Sequence, residues 1–431
     1  MRQLWLIVLL VAVGAPSGAA QQRAVTLEEA IRMAQSVQPQ TIQAQGDVRT
    51  ADAQVRAAKG AFLPNLNASS TGATNYSENA RLDPNTNQLV SGNSRNTSVN
   101  LAMSSSVDLF TGFRRGADLR AARATQDAAG AGLIDARYQV ALSTTEEFFN
   151  VLAADELLRV RAASVARAQE QLKVAVAKLR TGSATRSDSL RSLVTLGNTR
   201  LDSLSAETQL ATAEANLGRL IGVAGRVAGV DDSAYYRVVE GVDTAALREQ
   251  ALSRSPQVQM AEAQAAAARA LLSAARAAYW PTLSLSGSSS WNGSKSQDYQ
   301  LFNQRQLSLG LSWAIFNRFT RERTIATQDA NAELAVAQAA DTRRQVEAAL
   351  TARLAELTAA TARIGITRTS VEAAREDIRV VGERYRLGAA TIVDVLTSED
   401  ALNQAEVDAV NARYDYLRAR AQIEALIGRP L

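Results

Sequence analysis

The stretch 384-RYRLGAATIVDVL-396 breaks a long amphipathic run once, at Gly388, and the run then resumes. The same break stands 206 residues earlier in 178-KLRTGSATRSDSL-190, where Gly182 matches Gly388 and Asp188 matches Asp394. One break is a loop; two at a constant offset are an internal duplication. Phe110 and 220-LIG-222 recur as Phe316 and 426-LIG-428 at the same offset. Pro39 and Pro64 recur as Pro256 and Pro281, 217 residues on, so the first copy carries eleven extra residues between Pro64 and Phe110. The chain reads as two structural repeats, 21–225 and 226–431.

Each repeat has the same expected order. Two helices come first, at 26–36 and 40–61 in one copy and at 244–254 and 257–279 in the other. A β-hairpin follows, about 65–110 and 282–316. A long helix is predicted over 111–180 and 317–386, and a return helix over 185–221 and 391–427. The long runs have a countable period. Val151, Leu158, Val165, Leu172 and Leu179 are seven apart, as are Leu357, Ile364, Val371, Ile378 and Tyr385. The return run carries Val395, Leu402, Ala409, Tyr416 and Ile423. A sustained apolar heptad implies antiparallel coiled coil between the long and return helices. At ~1.5 Å per residue, 70 helical residues span roughly 100 Å, more than a compact domain of this size needs.

The hairpins decide the class. Leu307, Leu309, Leu311, Trp313 and Ile315 alternate with Ser308, Gly310, Ser312 and Ala314. Val99, Leu101, Met103, Val107 and Leu109 alternate with small or polar residues in the first copy. Such alternation makes strands with one apolar and one polar face. The polar segments 76–97 and 292–304 read as long loops. Aromatic residues mark both ends: Phe62, Phe110, Tyr279, Trp280 and Phe316 at one, Tyr76, Trp291 and Tyr299 towards the loops. That is the pattern of a membrane β-barrel, with a small water-soluble sheet as the competing reading. Four strands cannot close a barrel, and an open edge in lipid leaves unpaired backbone groups. Two copies give eight strands, whose narrow interior needs large plugging side chains that the Ser, Gly, Ala and Asn faces lack. Three copies give twelve strands and a lumen.

Composition narrows the function. Among 431 residues there is no Cys and no His. Disulfides, thiolate chemistry and His-based catalysis or metal ligation are thereby excluded, and neither an enzyme constellation nor a cofactor or metal site is expected. A net charge of +4 with interspersed acids and bases does not form a nucleic-acid stripe. The N-terminus has Arg2, an apolar run from Leu4 to Val13, and the small residues Gly18, Ala19 and Ala20. Residues 1–20 are read as a secretory signal peptide. The run is shorter than the ~20 residues of a spanning helix.

With the duplicated helix, hairpin and long-helix order, 385-YRLGAATIVDVL-396 and 411-NARYDYLRARAQIEALIG-428 resemble the TolC family of outer-membrane efflux and export channels. The resemblance covers essentially the whole mature chain. It implies a homotrimer with a twelve-stranded barrel among outer-membrane lipids, in a Gram-negative-type bacterium. A long helical barrel would project through the periplasm. A periplasmic adaptor protein and an inner-membrane pump or transporter are the implied partners. The fold class is therefore mainly α, long antiparallel coiled-coil helices plus four strands per chain.

The break now has a reading. Gly182 and Gly388 stop a helix in the left-handed conformation, and Thr185 with Asp188, like Thr391 with Asp394, forms a capping box at the next start. From the residues alone, Asp188 and Asp394 are acids favoured by a helix N-terminus. By resemblance, Asp394 matches one of two aspartates that ring the lumen at its narrowest point, and Thr397 stands where the second would be. Tyr385 matches a tyrosine that bonds across helices to an aspartate at the Asp188 position; its register makes it equally a heptad core residue. The family's further tip arginine falls at Ala390. The turns Thr181, Gly182, Ser183 and Leu387, Gly388, Ala389 resemble the surface that receives the adaptor. The implied function is the passive exit duct of an efflux pump or type I secretion system, against the alternative of a poreless periplasmic scaffold.

Overall fold

The computed structural model describes residues 23–82, 89–236, 244–295, 298–429 and 431. The predicted signal peptide, 1–20, lies outside the described residues. In chain order the elements are β1 (Arg23–Val25), α1 (Leu27–Val37), α2 (Pro39–Gly60), β2 (Asn65–Leu82), β3 (Leu89–Phe110), α3 (Arg114–Arg180) and α4 (Arg186–Ile221). Then follow β4 (Val227–Gly229), α5 (Thr244–Arg254), α6 (Pro256–Arg276), β5 (Thr282–Ser294), β6 (Phe302–Ser312), α7 (Thr320–Arg386) and α8 (Ile392–Ile427). The chain is mainly helical with antiparallel strands. Two compact units result, one of residues 43–136 and 248–348, the other of the remainder.

The first unit contains a four-stranded antiparallel sheet in the order β2-β3-β5-β6. Register sorts its side chains by chemistry. Val107, Leu285 and Leu309 form one cross-strand row, and Asn65, Ser106, Ser286 and Ser308 the adjacent row on the other face. The polar row is hydrogen-bonded within itself: Ser106 Oγ donates to Asn65 Oδ1 at 2.9 Å, and Ser286 and Ser308 hydroxyls lie 2.8 Å apart. The apolar row continues through Leu283 and Leu311, and Leu307, Leu309 and Leu311 are all exposed. β2 and β6 are the outer strands, each with one edge that no other strand of the sheet pairs.

Two expectations need correction here. The first hairpin does not open into a loop at 76–97; its strands run to Leu82 and from Leu89. Polar cross-strand pairs carry the ladder onward, Thr74 opposite Thr97 with hydroxyls 3.1 Å apart and Tyr76 opposite Arg95. Alternation marks which strand residues are half buried, whereas pairing needs only backbone groups. In the second hairpin β6 spans 302–312 and does not reach Phe316. The chain then turns through a left-handed pair, Arg318 (φ 57°) and Phe319 (φ 61°), as it does after β3 at Gly112 (φ 61°) and Phe113 (φ 66°). These turns delay the long helices to Arg114 and Thr320.

In the second unit β1 pairs in parallel with β4, Val25 and Val227 both fully buried, a short ladder that the sequence pattern did not announce. Around it, Phe148, Phe149 and Tyr235 meet edge to face. α4 and α8 end at Gly222 (φ 74°) and Gly428 (φ 69°), the left-handed positions of the two LIG motifs. Gly218 sits so close to the following turn that a Cβ there would lie 2.5 Å from the Gly225 carbonyl oxygen. Ion pairs along α7, such as Arg368–Glu372 and Arg379–Glu376, are exposed, screened by solvent and contribute little. On α7 and α8 the heptad residues Leu357, Val371, Tyr385, Val395 and Leu402 are buried, whereas on α3 the small residues Ser164, Ala168 and Ala175 are buried and Val165, Leu172 and Leu179 only partly so.

Candidate functional site at the helical turns

Both predicted turns have the same backbone geometry. After α3, Gly182 (φ 76°) bonds back to Leu179 O at 3.1 Å and Ser183 N to Lys178 O at 2.9 Å. After α7, Gly388 (φ 80°) bonds to Tyr385 O at 3.1 Å and Ala389 N to Arg384 O at 2.8 Å. This paired closure satisfies the last carbonyls of each helix and requires the left-handed residue that glycine supplies. Thr181, Gly182, Ser183, Leu387 and Gly388 are exposed, Leu387 at 84%.

The next helix starts are capped as predicted. Asp188 Oδ2 accepts from Thr185 N at 2.8 Å while Thr185 Oγ1 accepts from Asp188 N at 3.3 Å. Asp394 and Thr391 repeat the arrangement, and the Thr391 hydroxyl also donates to Asp394 Oδ2 at 2.8 Å. The Thr391 backbone N–H, then its hydroxyl, hold the Asp394 carboxyl below the usual aspartate range. Asp394 and Thr397 are both exposed and lie three residues apart on α8.

Tyr385 is 5% exposed and forms a core with Ile392 and Val395, against which Val174, Ile378, Val381, Ala390 and Leu396 pack. Its heptad role is thereby realised. The expected bond to Asp188 is not. The Tyr385 hydroxyl has no hydrogen-bond partner, and Asp188 Oδ2 is engaged in its own capping box. Burial, and secondarily the nearby Asp188 charge, push the phenol above the ordinary tyrosine value. The link across helices comes instead from Lys178 on α3. Its ammonium lies 4.3 Å from the Tyr385 ring centroid and donates to the Tyr385 backbone carbonyl. Ala390, where the family arginine would be, is part of the apolar packing.

Sequence reasoning missed Lys178 and, on the neighbouring turns, Arg167, Glu399 and Glu406. Arg167 Nη2 donates to Glu406 Oε2 at 3.1 Å, and Arg375 Nη2 to Glu406 Oε1 at 3.2 Å. Glu399 is 4% exposed, with Arg167 Nε 4.0 Å away. A signal was present: Glu399 stands four residues after Val395 and three before Leu402, inside the apolar seam. Among the described residues no cluster of acidic side chains suited to a metal ion occurs, and no helix is long and apolar enough to cross a membrane.

Long helices joined by capped turns and an antiparallel sheet with an exposed apolar face fit an outer-membrane channel protein. The family described as "Outer membrane efflux protein" matches residues 30–223 and 247–429, and the chain belongs to it. It is thus an outer-membrane efflux protein of the TolC family, not an enzyme. The pyoverdine export outer membrane protein OpmQ of Pseudomonas putida is 26% identical over 422 residues, covering 93% of this chain and 85% of that protein. The outer membrane protein TolC of Escherichia coli is 24% identical over 315 residues, 69% of this chain and 64% of that one. Two solved channels share the fold. CusC has a TM-score of 0.79 at 19% identity, covering 97% of this chain and 96% of its own. VceC of Vibrio cholerae has 0.77 at 17%, covering 94% and 96%.

Proposed function

We propose that three copies of this chain form the passive exit duct of a tripartite efflux pump, the energy being supplied by an inner-membrane pump through a periplasmic adaptor. The observation that carries this is the four-stranded sheet with an exposed apolar row and two outer edges free of strand partners. In lipid such edges need partners, and copies of the same chain supply them without a new surface. α4 supports the same reading: Leu190, Val194, Leu201 and Leu204 form an exposed stripe at heptad spacing. A poreless scaffold has no use for an apolar sheet face. Repeats 21–225 and 226–431 would each contribute one hairpin and one helix pair. OpmQ is named for pyoverdine export, which favours efflux over type I protein secretion.

In this duct the turns at Gly182 and Gly388 meet the adaptor, with Thr181, Ser183, Leu387 and Ala389 in the contact. Asp394, with Thr397 beside it, supplies one ring of carboxylates in the trimer, attracting cations. Tyr385 and Lys178 hold α7 to α3 in the closed state, with Asp188 fixing the start of α4. The test is planar-bilayer conductance of the detergent-extracted protein, with crosslinking of the same sample. A trimer passing a small, cation-selective current is expected. A monomer without conductance from any variant refutes the duct.

A further inference from the structure

Between α3, α7 and α8 lies a cavity of about 210 Å³ whose walls include Arg167, Gln171, Tyr385 and Glu399. Each contributes a buried polar atom with no hydrogen-bond partner: Arg167 Nε, Gln171 Nε2, the Tyr385 hydroxyl and Glu399 Oε1. Buried polar groups are nearly always paired, so four orphans around one cavity demand an explanation. Three can donate hydrogen bonds. The fourth, on Glu399, belongs to a carboxyl removed from solvent.

The charges around Glu399 do not neutralise it. On α3, Arg167 faces it at 4.0 Å but is engaged by Glu406 at 3.1 Å. Glu170, also on α3, adds a like charge at the cavity wall. From α7, Arg386 lines the cavity but pairs with Glu383 at 3.1 Å, Arg375 is spent on Glu406 at 3.2 Å, and Asp377 accepts from Ser398 at 2.5 Å. On α8 itself Asp400 is a further like charge. Burial accordingly pushes the Glu399 carboxyl above the ordinary glutamate value, against the pull of Arg167. A neutral carboxyl keeps an oxygen that can accept from these donors and offers its O–H to the Tyr385 hydroxyl oxygen, whereas an ionised one is a buried, under-compensated charge.

We propose that Glu399 is a proton-binding site that sets how tightly α3, α7 and α8 pack beside the turn. Protonated, it completes the polar lining and the three helices close on it. Ionised, it loosens the same seam that Lys178 and Tyr385 hold. The sign follows from the raised value: stability is fully present below the unfolded glutamate range, near pH 4.5, and is lost as pH rises through the folded value. If the duct reading above is right, periplasmic acidity then tightens the closed turn.

The experiment is amide-exchange protection of residues 387–399 in the detergent-purified full chain between pH 5 and pH 8, with bilayer conductance in parallel. Protection factors, corrected for intrinsic exchange, should rise as pH falls in the wild type. Glu399→Gln, a neutral isostere, should abolish that slope and hold protection at the acidic level. Asp394→Asn should retain the slope. A flat wild-type profile, a slope surviving in Glu399→Gln, or a slope lost in Asp394→Asn overturns the proposal. Protein that never conducts yet shows the predicted exchange removes the duct and leaves the proton site standing.

Discussion

Lys178→Met should unlock the turn, whereas Tyr385→Phe should not. The ammonium of Lys178 makes two contacts across the α3–α7 seam: the Tyr385 ring face, 4.3 Å to the centroid, and the Tyr385 carbonyl. A cation over an aromatic ring is worth about 0.5–2 kcal/mol depending on exposure. A charged hydrogen bond adds about 1.5–3 kcal/mol when buried. Lys178 is only partly buried, so the two together come to ~1–3 kcal/mol, a roughly 5- to 150-fold shift in the closed-to-open ratio. Methionine keeps the apolar stem and loses both contacts. Tyr385→Phe keeps the ring under Lys178 and deletes a hydroxyl that bonds to nothing, so its cost should be within about 0.5 kcal/mol of zero. Tyr385→Ala empties the core shared with Ile392 and Val395 and should cost ~3–5 kcal/mol. Single-channel open probability reads these shifts, with a thermal melt of each variant to confirm folding. If Tyr385→Phe opens the channel as far as Lys178→Met, the phenol hydroxyl carries the latch and the reasoning fails. An inert Lys178→Met fails it equally.

Three further perturbations follow from the backbone and the caps. Gly388→Ala places a Cβ where nothing lies within 4 Å but φ is 80°, so the cost is conformational, ~1–2 kcal/mol, read as a lower melting temperature. Gly218→Ala meets the Gly225 carbonyl at 2.5 Å and should cost ~1–3 kcal/mol through displacement of that turn, visible in the same melt. Asp394 carries the opposite pH sign to Glu399. Its carboxyl is held low, so the stability it contributes is present above the ordinary value of 3.8 and is lost as pH falls through the folded value. Thr391→Ala should move that loss to higher pH, and exchange at residues 391–396 between pH 2 and pH 5 measures it.

Much of this was legible in the residues because it depends on local rules. The turns follow from glycine and from the Thr and Asp spacing, which specify left-handed stops and capping boxes without tertiary help. The long helices follow from heptads, and the two faces of β3 and β6 from alternation. What escaped was set by packing partners. The β1–β4 ladder is three residues a side, too short to leave a pattern. The strands of the first hairpin run past their apolar residues because backbone pairing continues through Thr74 and Thr97. Lys178 reads in the sequence as an ordinary basic residue near a helix C-terminus. Only the position of Tyr385 on another helix gives its ammonium a ring to cover.

The duplication shows most clearly why the site could not be read from pattern alone. Positions 206 apart share backbone geometry, down to matching capping boxes at Asp188 and Asp394. Their surroundings do not match. Glu399 is 4% exposed, while its counterpart Leu193 is 53% exposed. The charged residue is inside and the apolar one outside, the reverse of what burial favours for either. Each inversion calls for a compensating interaction. For Leu193 and the stripe of Leu190, Val194, Leu201 and Leu204 it is another apolar helix face, which a neighbouring copy in the proposed trimer provides. For Glu399 no added surface helps, because the group is already covered; beyond the pull of Arg167, the compensation proposed above is a proton. One duplicated helix pair thus serves two ends in the same chain: α4 exposes an apolar stripe that the proposed trimer would cover, and α8 buries the carboxyl proposed to bind a proton.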